Sequence, residues 1–337
     1  MQNKHVVFTA PGIAELQSCE MPAIAPGKVI VRTVVSSVSS GTERANLMGD
    51  PNVSISRNAK PQSLFPRYPG YSAAGVVVEV GEGVTSVVPG DRVAVIDTDH
   101  CHFVCTAEKN VFKIEDHVSF SEAALWHIAT FPLAAIRKCN LEIAESAIVM
   151  GLGVLGMMAV KQLRAAGATP IIAVDPVESK RKWALENGAD YALDPFEPGF
   201  AETARKITGG GVRVGIEVTG NGKGLDGILD CMAPFGRVAL LGCTRNSDFT
   251  IDYYRKVHGP GISLIGAHTN ARPKVESYHG MWTRWDDVKA LRQLHATGRL
   301  EFASMVSEIH DISEAPVVYG RLATERFFPV VQYNWGE

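Results

Sequence analysis

The chain has 337 residues, a formal net charge of −3, 46 % hydrophobic and 20 % charged residues, 32 glycines and six cysteines. That length suits two domains, and the composition is that of a globular chain with a sizeable core, not a disordered or fibrous one. The charge gives no basic field for wrapping nucleic acid. The longest apolar run, Ala147 to Val160, holds three glycines and is too short to span a bilayer, so neither nucleic acid nor membrane is expected as a partner.

Met1-Gln2-Asn3-Lys4-His5 leads straight into an alternating strand pattern with no signal peptide, which makes the cytoplasm the expected location. His5 to Phe8, Lys28 to Val35, Ala73 to Val80 and Arg92 to Ile96 read as strands, punctuated by Pro26-Gly27, Pro69-Gly70, Gly81-Glu82-Gly83 and Pro89-Gly90. This all-β stretch predicts a small barrel or sandwich. Met48 to Lys60 is polar and irregular and reads as a surface loop. The six cysteines, Cys19, Cys101, Cys105, Cys139, Cys231 and Cys243, are scattered without CxxC spacing. Neither a disulfide framework nor a four-cysteine zinc site follows from them.

Near Ser121 the pattern changes. A helix starts there, with Ser119 or Ser121 as its cap. Strands and helices then alternate: strand Ala147 to Met150, helix Val154 to Ala166, strand Ile171 to Val174, helix Ser179 to Asn187 stopped by Gly188. Strand Val214 to Val218, helix Gly224 to Met232, and strands Arg237 to Leu241 and Ser263 to Ile265 follow. Apolar strands alternating with helices predict a parallel sheet covered on both faces. From about His268 the tail holds one more helix, Trp285 to Ala296, and short strands, and it reads as a return to the first domain.

Gly151-Leu152-Gly153-Val154-Leu155-Gly156 follows an apolar strand and opens a helix. Asp175 stands 19 residues beyond Gly156 at the end of the next strand, close to the ~20 expected of a ribose-binding acid. In that reading Gly151 makes the tight turn and Gly153 lets a pyrophosphate approach the backbone. Gly156 lets helix and strand pack closely. The phosphates sit on the helix start at Val154 and Leu155. A carboxylate at Asp175 accepts from both ribose hydroxyls and repels a 2′-phosphate, which favours NAD over NADP. Lys180, Arg181 and Lys182 come next; Lys180 is kept as a cofactor contact, and the run reads as the exposed face of the following helix. By position on the sheet, Thr219-Gly220, Gly242-Cys243 and Ala267-His268 are the loops for the nicotinamide end.

An N-terminal β domain, a central Rossmann unit and a return to the first domain resemble the medium-chain dehydrogenase/reductase superfamily, the zinc alcohol dehydrogenase-like proteins. Pro69-Gly70-Tyr71-Ser72-Ala73-Ala74-Gly75, Gly90-Asp91-Arg92-Val93 and Pro234-Phe235-Gly236-Arg237-Val238 carry the likeness beside the glycine motif. The resemblance implies an α/β chain with a Rossmann doubly wound parallel sheet and a GroES-like β-barrel catalytic domain. The expected boundaries are 1–125 with 268–337 for the catalytic domain and 126–267 for the NAD-binding one. It further implies hydride transfer between nicotinamide and a small-molecule substrate in a cleft between domains, in a homodimer or homotetramer.

The departures point to a zinc-lacking branch. Where zinc members carry Cys before Gly-Thr/Ser-Asp, this chain has Ser40-Gly41-Thr42-Glu43. Their Gly-His-Glu is Gly70-Tyr71-Ser72 here, and the remaining ligand position aligns with His127. No metal is therefore expected. Ser40, Tyr71 and His127 inherit the zinc position and Thr42 the proton-relay position, so these four are the catalytic candidates: Tyr71 as donor to a carbonyl oxygen, His127 as proton exchanger. Trp282, Trp285, Tyr278 and His279 form an aromatic group that packs at the domain interface or stacks on a substrate ring. The expected function is NAD(H)-dependent interconversion of a secondary alcohol, a polyol or sugar among them, and a ketone without zinc. Its rivals are an NAD(P)H-dependent quinone or enone reductase, which Asp175 argues against, and a nucleotide-binding sensor without catalysis.

Overall fold

The computed structural model describes residues 2–53 and 65–336. They form two compact units, Met1–Ile128 with Val288–Glu337, and Ala129–Asp287. Among the described residues no helix is long and apolar enough to cross a membrane.

The first unit begins with the hairpin β1 (Asn3–Ala10) and β2 (Ile13–Cys19), then β3 (Lys28–Ser37), α1 (Ser40–Leu47), β4 (Ser72–Val80), β5 (Arg92–Ile96), β6 (Phe103–Ala107), β7 (Val111–Lys113) and the short α2 (Phe120–Ala123). Ser119 caps α2, its side chain accepting from the Glu122 N–H. α3 (Trp126–Lys138) carries the chain into the second unit.

That unit alternates β8 (Ala147–Met150), α4 (Val154–Ala166), β9 (Ile171–Val174), α5 (Glu178–Glu186), β10 (Tyr191–Leu193), α6 (Phe200–Ile207), β11 (Val212–Glu217), α7 (Gly222–Cys231), β12 (Met232–Leu240) and β13 (Ser263–Gly266). α8 (Arg284–Ala296) carries the chain back, and β14 (Glu308–Asp311), α9 (Ala315–Thr324) and β15 (Val331–Asn334) complete the first unit.

β3 organises the first unit. One edge pairs antiparallel with β4; the other is shared between β15 at its C-terminal end and β6 at its N-terminal end. The sheet runs β14-β15-β3-β4-β5-β7. Val29 and Val31 of β3 pack with Val77, Val93 and Val95, while Tyr319 and Leu322 of α9 close a second core with Phe8, Leu47 and Tyr333.

In the second unit every strand pair is parallel and the order is β10-β9-β8-β11-β12-β13. Strand order reverses at β8, so a crevice opens between β8 and β11 at their C-terminal ends, where open α/β sheets bind ligands. Ile148, Ile172, Val212, Ile228 and Val238 are fully buried around this sheet, each worth about 1.5–3 kcal/mol.

Several expectations need correction. Ser40 and Thr42 stand in the first turn of a helix that the sequence reading did not include. The tail holds α9 besides the expected helix. Residues 268–287, expected with the first domain, group with the second unit. The buried carboxylate of Asp287 explains why: it binds Arg137 of α3 at 2.9 Å and Arg272 at 3.4 Å, and Arg272 also donates to the Thr130 carbonyl. In the same segment Trp282 lies under the Arg137 guanidinium at 3.6 Å. Of the expected loop over Met48 to Lys60, Pro51–Val53 is one 3₁₀ turn and residues 54–60 lie outside the described residues.

Candidate active site

The cofactor half of the site is built on β8, α4 and β9. β8 is followed by Gly151, whose φ of +99° turns the chain sharply toward the helix. Gly153 is the cap residue of α4 and offers no side chain to its first N–H groups, and a Cβ built there would meet nothing within 4 Å. Val154 and Leu155 open the helix. The backbone thus presents uncapped helical N–H groups across open space, the arrangement that receives a phosphate. A Cβ on Gly156 would lie 1.9 Å from the Gly151 carbonyl oxygen, so only glycine allows α4 to pack this tightly on the loop. These residues fit the pyrophosphate of a dinucleotide.

Asp175 sits at the end of β9, buried. Its Oδ2 accepts from the Leu152 N–H at 2.8 Å and its Oδ1 from the Val177 N–H at 2.9 Å. The carboxylate therefore braces the glycine loop from the neighbouring strand. Each oxygen keeps acceptor capacity for a ribose hydroxyl. The Lys180 ammonium lies 4.0 Å from Oδ2.

Glu217 is a site residue that the sequence reading missed. Buried at the end of β11, its Oε1 accepts from the Thr219 N–H at 2.7 Å and from the Thr219 hydroxyl, and the Gly220 N–H faces both its carboxylate oxygens. Burial pushes its carboxyl above the ordinary range, against the pull of these donors. Its own carbonyl accepts from the Leu241 and Gly242 N–H groups. One residue thereby fixes Thr219-Gly220 and Gly242 together. A Cβ on Gly242 would come within 2.3 Å of the Gly220 nitrogen. The only trace in the sequence was an acid closing the strand before Val218-Thr219-Gly220. Cys243 is exposed beside them. Ala267, buried, donates its N–H to the Leu240 carbonyl. His268 follows, its Nδ1 accepting from the Asn270 N–H at 3.1 Å. Burial, then Arg245 and Lys138, push that imidazole below its ordinary range, which keeps it neutral at pH 7.

In the first unit the structure brings Tyr71 and His127 together. The His127 Nδ1–H donates to the Tyr71 carbonyl at 2.6 Å, the two rings meet edge to face with centroids 5.4 Å apart, and His127 Nε2 lies 3.6 Å from Asp97 Oδ1. Asp97, also missed, has φ +55° and a carboxylate 35 % exposed, so the imidazole connects a buried position to solvent. The Ser72 hydroxyl donates to the Ala124 carbonyl at 2.6 Å and ties β4 to the turn before α3.

Ser40 and Thr42 are half-buried in α1, and the next residue, Glu43, anchors that helix. Its Oε1 accepts from the Ser39 N–H at 2.8 Å. Its Oε2 accepts from the Tyr319 hydroxyl at 2.5 Å and lies 3.3 Å from His100 Nε2. The Trp335 indole N–H donates to Ser36 Oγ at 2.9 Å, and Ser36 Oγ lies 2.7 Å from His100 Nδ1; the Glu43 carboxylate, an acceptor only, faces Nε2 and calls for a proton there. Gly70 closes the link to Tyr71. Its φ is +103°, and a Cβ there would lie 2.5 Å from the His100 nitrogen. A buried polar network thus runs from α1 through His100 to the loop that presents Tyr71.

These donors do not fit a tetrahedral zinc. A serine, a tyrosine and one imidazole are the residues that align with the family's three ligand positions, and both nitrogens of that imidazole already face protein groups. Among the described residues no group of three or more His, Cys, Asp or Glu side chains is arranged to hold a metal ion.

Residues 154–284 match the family described as zinc-binding dehydrogenase, and residues 25–131 match the alcohol dehydrogenase GroES-like domain. The chain is 28 % identical to L-threonine 3-dehydrogenase of Pyrococcus horikoshii over 333 residues, 90 % of each chain. It is 32 % identical to (R,R)-butanediol dehydrogenase of Bacillus subtilis over 237 residues, 61 % of this chain and 67 % of that one. The crystal structure of 2R,3R-butanediol dehydrogenase from Bacillus subtilis superposes with a TM-score of 0.83 at 23 % identity, covering 99 % of this chain and 100 % of that one. With both family matches in chain order and a Rossmann sheet beside a GroES-like unit, the chain belongs to the medium-chain dehydrogenase/reductase superfamily.

Proposed function

We propose that the chain is an NAD(H)-dependent oxidoreductase that interconverts a secondary alcohol, of the polyol or sugar class, and a ketone without catalytic zinc. The observation that carries this is the pairing of Tyr71 and His127 at the vacated metal position, with Asp97 behind the imidazole. Relatives named for threonine and butanediol oxidation support an alcohol as substrate. A bound nicotinamide would supply the hydride acceptor or donor. This chain's residues hold the substrate oxygen and move its proton. In the oxidative direction, with the hydride going to the nicotinamide that would be bound, the alcohol gives its hydroxyl proton to the protein. His127 Nε2, the ring nitrogen left unprotonated while Nδ1–H donates to the Tyr71 carbonyl, takes that proton beside the Asp97 carboxylate and passes it to solvent, and the Tyr71 hydroxyl bonds the substrate oxygen. In the reductive direction the Tyr71 hydroxyl donates to the carbonyl oxygen as hydride arrives, the role a Lewis acid otherwise fills. Ser40 and Thr42 give further hydroxyl contacts.

NAD is favoured by the Asp175 carboxylate, which would repel a 2′-phosphate. A homodimer or homotetramer in the cytoplasm is the assembly and location that the superfamily and the composition support. NADH formation with a panel of polyols, sugars and hydroxy acids, run in parallel with NADH and NADPH consumption on enones and quinones, tests the reading. Turnover confined to the enones and quinones would replace it.

A further inference from the structure

We propose that Cys19 and Cys101 are a redox pair of the first unit. A small-molecule disulfide such as oxidised glutathione converts them to an intrachain crosslink, and excess thiol reverses it. The pair is independent of the reaction at Tyr71 and His127.

Asn3 brings the two cysteines together. In β1 it stands opposite Cys19, the last residue of β2, and two places on His5 stands opposite Cys101. Ladder partners share a face, and so do residues two apart on one strand, so both cysteines belong to one face of β1. The chains on either side of Asn3 converge on its side chain. Its Nδ2 donates to the Glu20 carbonyl at 3.3 Å and to the Phe103 carbonyl at 3.0 Å. The residue after Cys19 and the first residue of β6 thus meet at one amide nitrogen. Its Oδ1 accepts from the Phe103 N–H at 2.9 Å and lies 3.5 Å from Cys101 Sγ. Asn3 is only 2 % exposed, so this junction is fixed in the interior of the unit. The Cys101 thiol also faces the Phe103 carbonyl at 3.3 Å, and the Cys19 thiol lies within hydrogen-bond reach of it.

The two thiols have different parts. Burial, with Cys19 beside it acting in the same direction, pushes the Cys101 thiol up to about 12. It stays protonated at pH 7 and does not attack first, because the thiolate is the nucleophile. Cys19 is half-buried between exposed Ser18 and Glu20, where a small reagent can reach it. The β1–β2 ladder ends at its rung, and residues 20–25 belong to no helix or strand. This end of the hairpin can therefore make the adjustment that a sulfur–sulfur bond of about 2.05 Å demands.

The exchange balances. Cys19 gives its proton to solvent and attacks one sulfur of the small disulfide. The new bond to Cys19 forms, the reagent's S–S bond breaks, and the first thiolate leaves and takes up a proton. Cys101 then attacks the Cys19 sulfur, the mixed disulfide breaks, and the second leaving thiolate takes the Cys101 proton. Two protein thiols lose two electrons, and one small disulfide is reduced to two thiols.

Other cysteines supply the wrong pairings. Cys105 of β6 turns its thiol to the Ala23 carbonyl at 3.5 Å. Cys139 and Cys231, buried, and Cys243, exposed, belong to the second unit.

The experiment uses the full chain, reduced and then equilibrated with oxidised and reduced glutathione in rising ratio, quenched by alkylation and digested. Mass mapping is expected to find the Cys19 and Cys101 peptides joined within single chains, lighter by two hydrogens, and parted again by excess reduced glutathione. In Cys101→Ser the adduct of glutathione on Cys19 should accumulate. In Cys19→Ser, Cys101 should take up glutathione about tenfold more slowly than that. Urea denaturation reads the same crosslink independently. Oxidation should raise the midpoint of the parent, because the bond constrains the unfolded chain, and leave that of Cys101→Ser in place. Cys19 and Cys101 recovered only as free thiols or glutathione adducts at every ratio, or joined to other cysteines instead, would overturn the pair. Equal rates of uptake in the two variants would overturn the order of attack.

Discussion

The imidazole of His127 is held between two groups of its own unit: Nδ1 bonds the Tyr71 carbonyl at 2.6 Å and Nε2 lies 3.6 Å from Asp97. A histidine so placed is oriented for proton exchange. Tyr71→Phe and His127→Gln are each expected to lower kcat by about 10²–10⁴, the usual range for a lost general acid or base. Fluorescence titration should find NADH affinity unchanged. Full kcat in both variants would reject these roles.

Asp175 braces Leu152, and in the proposed function it also accepts from the ribose. Asp175→Ala should therefore weaken both NADH and NADPH through the loosened loop, but NADH more. The expected difference is about 1.5–3 kcal/mol, the range for hydrogen bonds to a charged group. Titration of the variant with both cofactors checks it. An unchanged preference would remove the ribose assignment.

Glu43 is a buried carboxylate with three donors around it. Glu43→Ala leaves the Tyr319 hydroxyl and His100 without their acceptor and is expected to cost about 3–5 kcal/mol. Glu43→Gln, which keeps an acceptor oxygen, should cost less. Urea denaturation of the two variants beside the parent gives the comparison, and equal losses would refute the network.

This network also shows what the sequence hid. β8, α4 and β9 were legible to the residue, because strand, glycine turn and helix each declare themselves locally. α1 was not. Ser40-Gly41 is a poor helix start by propensity, and the helix is held by Glu43 contacting Tyr319, 276 residues away. The return point to the first unit was misplaced for a similar reason, since the Arg137–Asp287 bond spans 150 residues. Glu217 and Asp97 were missed because an isolated acid at a strand end carries no motif. What the fold brings together over long separations has no periodicity to read.

The edge strand β14 carries a pH-dependent cluster. Arg321, then His310, hold the Glu308 carboxyl down at about 2, while Glu308 and Glu314 raise His310. A depressed carboxyl adds stability above its unfolded value of 4.5 and loses it as pH falls toward 2. A raised histidine adds stability below its unfolded value of 6.5 and loses it as pH rises through the folded value. The stability gap between parent and Glu308→Gln should therefore be widest at about pH 5–6.5 and shrink on both sides. Both groups are partly exposed, so solvent screening keeps the gap small. Denaturation midpoints at several pH values check it, and a gap independent of pH would contradict it.

In the proposed function protein groups, standing where zinc would stand, hold the substrate oxygen and move its proton while alcohol and ketone interconvert. The most direct test of this is NAD-linked turnover of a substrate from the polyol panel after exhaustive chelation, with zinc quantified in the same sample. Full activity at far less than one zinc per chain is the predicted result. Activity lost on chelation and restored by one equivalent of zinc would contradict the account.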